Sequence, residues 1–290
     1  MSPKPPFPPS RIGAVRYLNT KPLVPGLAAR GVDVRYDLPS RLADQIAVGQ
    51  LDVALIPVIE TFRQADYRIV SDACIGCRGP VMSVKVFFRT PPDRVTSLAI
   101  DEGSRTSAAL ARILLAERFG VRPRIEPLPI EAGLGDTRAD AVLLIGDRAL
   151  DRGTGAGPAA ARSFQLAWDL GDEWCRWTGL PFVFAVWAAR RGVAATGLDR
   201  LLTAARDSGR ANLAAIAAAE AAPHGLTVAQ CHSYLADNLH YDLGADERAA
   251  LALFRARAAA LGLAPAAEPV VNVRTVAAAE SRGGNDGSSR

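Results

Sequence analysis

Along its first half the chain alternates short apolar runs with stretches of helical period, the pattern of βαβ units laid on a mostly parallel sheet. Apolar runs at 12–16, 32–38 and 52–56 predict three strands. Before the third, residues 40–49 carry Ser40 at an N-cap, apolar Leu42, Ala43, Ile46 and Ala47, and Gly49 at the C′ position, which predicts a helix. Residues 81–89 alternate well enough for one long strand, and Pro91 and Pro92 break the chain before another at 97–101. A helix is predicted from Ser104 to about Phe119, closed by Gly120, with strands resuming near Arg124 and at 141–145.

The second half reads differently. Residues 152–158 are rich in glycine but lack the Gly-Lys-Ser/Thr ending of a phosphate loop, so a flexible loop is predicted. Residues 182–188 form an unbroken apolar run, a buried strand, after which alanine-rich helices are predicted near 197–221, 227–238 and 245–261. Residues 1–10 and 280–290, rich in Pro or in Gly and Ser, are expected to be disordered tails.

A chain of 290 residues suits two lobes better than one core. The long strands ending near Arg89 and starting near Phe182 bracket the middle of the chain as a crossing out and a crossing back. The expectation is an α/β, two-lobed architecture with a discontinuous first lobe, 11–88 plus 186–275, a second lobe, 89–185, and a ligand cleft that closes about the crossings.

Composition narrows the function. Charged residues at 22% and apolar residues at 49% are ordinary for a soluble globular protein. The net charge of +4 is scattered, carried almost wholly by arginine, with lysine only at Lys4, Lys21 and Lys85, so no nucleic-acid partner is expected. No apolar run approaches the ~20 residues of a membrane span, and residues 1–10 offer no apolar signal core. A cytoplasmic protein without a membrane partner is expected. Of Cys74, Cys77, Cys175 and Cys231, only the first two have ligand-like spacing, and no second pair or histidine pair follows, so free thiols are expected rather than zinc.

Candidate chemistry gathers where strands give way to helices, the places where amide and hydroxyl donors hold small anions. Asn19 follows the first strand, where it either meets a ligand at the sheet's carboxyl edge or caps the helical turn entered at Thr20. Ser83 is a lone hydroxyl in an apolar strand at the crossing. Ser104, Thr106 and Ser107 offer three hydroxyls and free N–H groups at a helix start, more than one N-cap needs, and Arg105 adds a cation suited to a carboxylate. Gly146 ends a strand where backbone can approach a ligand, and Tyr17 completes the expected substrate-binding set. No Ser-His-Asp, paired-carboxylate, zincin or P-loop pattern can be assembled.

Together, Ile12-Gly-Ala-Val-Arg-Tyr-Leu-Asn-Thr-Lys-Pro-Leu23, Leu51-Asp-Val-Ala-Leu-Ile-Pro57, Gly79-Pro-Val-Met-Ser-Val84, Asp101-Glu-Gly-Ser-Arg-Thr-Ser107, Leu144-Ile-Gly-Asp147, Trp174-Cys-Arg-Trp-Thr-Gly-Leu-Pro-Phe-Val-Phe-Ala185 and Tyr241-Asp-Leu-Gly244 resemble the chorismate dehydratase family of the futalosine route to menaquinone. A sister family in that route opens on a Pro-Cys-Pro-Asn-type motif where this chain has Tyr-Leu-Asn-Thr, which favours the dehydratases. The resemblance implies a fold like that of type II periplasmic binding proteins, no metal or organic cofactor, and a hydro-lyase that converts chorismate, a small dicarboxylate, into 3-[(1-carboxyvinyl)oxy]benzoate. It also implies catalytic roles for Asn19 and Ser83, with the 104–107 helix start gripping a substrate carboxylate. The alternative, from another class, is a solute-binding module that captures an aromatic or carboxylate ligand without chemistry.

Overall fold

Among the residues that the computed structural model describes, 11–150, 163–193 and 197–266, the strands gather into two sheets. The chain opens with β1 (Ile12–Val15), β2 (Val34–Asp37), α1 (Pro39–Ala47), β3 (Val53–Pro57), α2 (Val58–Arg63) and β4 (Tyr67–Cys77). It continues through β5 (Val84–Phe88), β6 (Ser97–Asp101), α3 (Thr106–Phe119), β7 (Arg124–Leu128), β8 (Ala141–Ile145), α4 (Asp147–Leu150), β9 (Leu166–Asp169) and α5 (Leu170–Thr178). Then follow β10 (Phe182–Arg190), α6 (Leu198–Ala211), α7 (Leu213–Glu220), α8 (Val228–Ser233), β11 (His240–Asp242) and α9 (Ala245–Ala260). The glycine-rich loop and both tails predicted from sequence lie outside the described residues.

The first sheet has the order β11-β4-β10-β3-β1-β2 and the second β7-β6-β8-β5-β9. β1 runs parallel to β2 and β3, and β6 parallel to β7 and β8, as the βαβ alternation predicts. β10 lies antiparallel between β3 and β4, and its residues are buried from Phe182 to Ala189, which explains why its sequence is an unbroken apolar run. The expected two-sheet α/β architecture is therefore present. β11 was not expected; it adds antiparallel to β4 as an edge strand of three residues.

The crossings fall elsewhere than the sequence implies. The chain leaves the first sheet after Cys77 and returns at Phe182, so the connections are 78–83 and 170–181. Residues 84–88, expected to end the first lobe, pair with β8 and β9 in the second sheet, whereas 182–185, expected to end the second lobe, pair with β3 and β4 in the first. The single strand predicted over 81–89 starts only at Val84. The cause is Asp169, whose carboxylate accepts the N–H groups of Val81 at 2.9 Å and Met82 at 2.6 Å and so withdraws both from any ladder. Met82 sits at φ 62°, a left-handed conformation uncommon for a side chain of its size.

Two further local expectations shift. α1 begins at Pro39, with Leu38 at the N-cap, so Ser40 is inside the first turn and makes no cap; proline's fixed φ sets the start instead. Gly49 does take the left-handed conformation, at φ 77°. The helix expected at 227–238 relaxes from α8 into a π turn over Tyr234–Asn238.

The second connection is anchored by aromatic packing. Trp174 on α5 lies 5.2 Å, centroid to centroid, from Phe182, which lies 5.0 Å from Phe254 of α9, and the Trp174 indole donates to the Pro181 carbonyl at 2.9 Å. The first sheet's opening turn is held as firmly. Gly209 of α6 lies so close to the Pro22 carbonyl that a Cβ there would come within 1.9 Å of its oxygen, and this packs α6 against the turn Leu18–Leu23 that carries Asn19. No helix among the described residues is long and apolar enough to cross a membrane.

Candidate active site

A partly open cavity lies between the two sheets. All eight residues singled out from sequence line it: Tyr17, Asn19, Ser83, Ser104, Arg105, Thr106, Ser107 and Gly146. Residues far apart in sequence thus meet on one surface, because the strands β1, β6 and β8 direct their carboxyl ends at the gap and the 78–83 connection crosses it. Much of the remaining wall is apolar, including Val15, Pro57, Ile75, Val84, Ile145 and Phe184. Such a wall suits the faces of a flat ring.

The helix start at α3 is shaped from below by Asp101. This carboxylate is fully buried, accepts the Gly103 N–H at 2.9 Å and pairs with Arg148 at 3.0 Å. Burial pushes its carboxyl above the usual carboxylate range, against the pull of Arg148 and of the Gly103 and Ile145 amides. Ser104 Oγ accepts the Ala108 N–H at 3.1 Å, which takes one of the orphan donors of the first turn. Thr106 Oγ1 accepts the Ile59 N–H at 3.4 Å. Thr106 and Ser107 stand in the first turn of α3, where amides have no partner within the helix and the helix end is positive.

Arg105 does not sit as a free grip for a carboxylate. Its guanidinium pairs with Asp44 of α1 at 2.7 Å and with Glu60 of α2 at 3.4 Å, both carried by the other sheet. Arg41 on α1 reaches back to Glu102 at 3.1 Å, and Asp147 accepts the Leu18 N–H at 3.0 Å. These bonds hold the two halves together around the cavity, an arrangement invisible in sequence because each partner is distant along the chain.

Tyr17 and Gly146 form a unit. Gly146 has φ 62°, and a Cβ built on it would lie 2.6 Å from Tyr17 Cδ2, so the glycine is needed for the ring to lie flat against it. Gly146 lines the cavity and also supports the Tyr17 ring. The Tyr17 hydroxyl is buried without a hydrogen-bond partner in the protein, and burial, aided by Asp101, pushes its phenol far above the ordinary range. It is a neutral donor awaiting an acceptor in the cavity.

Asn19 and Ser83 both line the cavity. Thr20 Oγ1 approaches Asn19 Oδ1 at 3.4 Å, and Ser83 Oγ approaches the Val81 carbonyl at a long 3.4 Å, so neither group is spent on a strong internal bond. Ser83 is placed at the mouth of β5 rather than within a strand, on the turn that Asp169 pins. The cysteines are free thiols, with Cys77 at the end of β4 hydrogen-bonded to Cys175 of α5. Among the described residues no three His, Cys, Asp or Glu side chains converge as metal ligands.

Comparison with known proteins agrees with this geometry. A family model described as menaquinone biosynthesis matches residues 10–260. The chain is 33% identical over 265 residues to a chorismate dehydratase of Thermus thermophilus, covering 87% of this chain and 95% of the relative. It is 29% identical over 169 residues to a chorismate dehydratase of Campylobacter jejuni, 58% of each. Among solved structures, a protein of Archaeoglobus fulgidus superposes with a TM-score of 0.69 at 18% identity, covering 88% of this chain and 98% of that one. The alkanesulfonate-binding protein of Xanthomonas axonopodis pv. citri, bound to MOPS, superposes at 0.61 and 16% identity, with 89% and 95% covered. At that identity these two show the fold alone, that of periplasmic binding proteins. The family model and the extent of the Thermus match together place this chain in the menaquinone biosynthesis family to which the chorismate dehydratases belong.

Proposed function

We propose that this chain is a chorismate dehydratase that works without a cofactor, converting chorismate into 3-[(1-carboxyvinyl)oxy]benzoate and water in the futalosine route to menaquinone. The C–H bond at the ring carbon bearing the enolpyruvyl ether breaks, as does the C–O bond of the neighbouring ring hydroxyl. The third ring double bond forms, and proton and hydroxide depart as one water. Aromatisation supplies the driving force, so the protein's task is to hold, orient and stabilise charge.

One observation carries this reading. The cavity wall contains three hydroxyl-bearing residues at a helix start, an unpartnered Tyr17 hydroxyl, Asn19 and Ser83, yet no Asp, Glu, His or Lys lines it. A ring carboxylate is held at the start of α3 by the Thr106 and Ser107 amides and hydroxyls, and the ring lies against Phe184 and Ile145. With no Asp, Glu, His or Lys among the lining residues, the substrate's own enolpyruvyl carboxylate takes the ring proton. Asn19 orients that carboxylate or the departing hydroxyl, and Ser83 donates to the oxygen on which charge develops. Arg105 acts through closure, clasping Asp44 and Glu60 when the halves, 11–77 with 182–266 and 84–169, come together about the two connections.

Proton NMR of chorismate incubated with the purified protein tests the reading: new aromatic resonances with loss of the two saturated ring C–H signals are expected, and chorismate recovered intact would instead support the solute-binding alternative. The self-base step has its own test. An ester at the enolpyruvyl carboxyl should bind but not react, and turnover of that ester would exclude the step.

A further inference from the structure

Behind the cavity, in the first sheet's helical cover, stands a phenol that the chemistry above leaves unused. Tyr234 begins the π turn at the end of α8 and is 1% exposed. Its hydroxyl oxygen is buried and meets no partner in ordinary hydrogen-bond geometry. The polar side chains that it approaches are those of Ser83 and Asn19; burial drives its phenol far above the usual range, and these two groups pull it back. The neighbouring buried tyrosine, Tyr241, has a settled bond, donating to the Leu235 carbonyl at 3.2 Å.

A buried hydroxyl left unbonded costs about 1–3 kcal/mol, so a position needing only a ring would be better served by phenylalanine. The two polar side chains that the Tyr234 hydroxyl approaches reach the cavity from different places, Asn19 from the turn after β1 and Ser83 from the first connection. With Thr20 Oγ1 at 3.4 Å from Asn19 Oδ1, the amide nitrogen of Asn19 is the side free to donate to Tyr234. The Tyr234 proton then goes to Ser83 Oγ, and the proton of Ser83 itself is left for the substrate. Hydrogen bonds of this kind tighten on a bound ligand.

We propose that Tyr234 is a positioning residue of the elimination: its hydroxyl links Asn19 to Ser83 from behind the cavity and turns the Ser83 proton toward the substrate oxygen. The inference rests on Asn19 and Ser83 being the reacting pair, and Tyr234 itself does not line the cavity.

The test is a double-mutant cycle on the full chain with chorismate, using Tyr234→Phe, Ser83→Ala and both together, beside Tyr241→Phe as a control in the same core. Tyr234→Phe should lower kcat by about tenfold or more while KM changes by less than about twofold, as for a group acting only as charge develops. Its melting temperature should be unchanged or higher, because an unbonded hydroxyl has been removed from the core. In the Ser83→Ala background the same change should cost almost nothing further. Tyr241→Phe should lower the melting temperature and leave kcat alone. Wild-type kcat in Tyr234→Phe, a parallel loss of kcat and melting temperature, or additive losses in the double variant would each overturn the inference while leaving the site intact. Wild-type kcat in Ser83→Ala would overturn the reacting pair and this inference with it.

Discussion

The Asp169 carboxylate accepts the Met82 N–H at 2.6 Å, tying the last residue of β9 to the turn that delivers Ser83. The same carboxylate accepts from Val81 at 2.9 Å, and it caps α5 through Gly171 at 3.0 Å and Asp172 at 3.2 Å. One side chain thus fixes both connections between the sheets. Replacing it with alanine should cost about 1–2 kcal/mol as a lost helix cap alone. Because the turn then relaxes, kcat should fall more steeply than KM rises. Denaturant melts and steady-state kinetics of Asp169→Ala check this, and an unchanged kcat in a destabilised protein would limit Asp169 to capping.

Asp169 also gives a pH dependence of known sign. Burial raises its carboxyl above the usual value, and the four backbone amides only partly reverse this. A group whose native pKa is raised binds its proton more readily folded than unfolded. Its contribution to stability is full below the unfolded value near 3.8 and is lost as pH rises through the native value. Asp169→Asn cannot titrate, so the stability of wild type relative to this variant should decline as pH climbs from about 4 and then level off. Urea melts of both proteins at stepped pH measure it, and a difference that grows with pH would reverse the assignment.

Arg105 is read as a clasp between halves because its guanidinium meets Asp44 and Glu60 rather than open cavity. Arg105→Ala and Asp44→Ala should then weaken substrate binding alike, each raising KM several-fold with a smaller effect on kcat. If Arg105 grips the substrate directly, Asp44→Ala should bind as well as wild type. Paired KM values for the two variants decide between these.

Gly146→Ala should be costly for so small a change. The added methyl meets the Tyr17 ring at 2.6 Å and the backbone is at φ 62°, so strain and overpacking of about 1–3 kcal/mol are expected. Displacing the Tyr17 ring should also raise KM. A melting curve and KM like those of wild type would show that the ring has room to move.

Much of this was legible in the chain. Apolar runs gave β1, β3, β8 and β10 because those strands are buried on both faces, where pattern and burial coincide. The eight candidates that line the cavity stood out because most sit at the ends of strands, where donors are free. What escaped had no local signature. The break before Ser83 depends on Asp169, which is 87 residues from Met82. The partners that occupy Arg105 lie on α1 and α2, and Tyr234 looks in sequence like any aromatic on a helical face. β11 is three residues long, too short for periodicity to mark. Ser40 was misread because a good N-cap residue stood one place beyond Pro39, whose fixed φ had already begun the helix.

The central claim is that Asn19 and Ser83, brought together behind the helix start of α3, carry the elimination. Turnover of chorismate by Asn19→Ala and Ser83→Ala, compared with wild type at equal melting temperature, tests it most directly. The account predicts kcat losses of about 10²–10³-fold in each, the scale of a removed charge-stabilising donor, with stability within about 1 kcal/mol of wild type. Full turnover in either variant, or losses that merely follow unfolding, would contradict it.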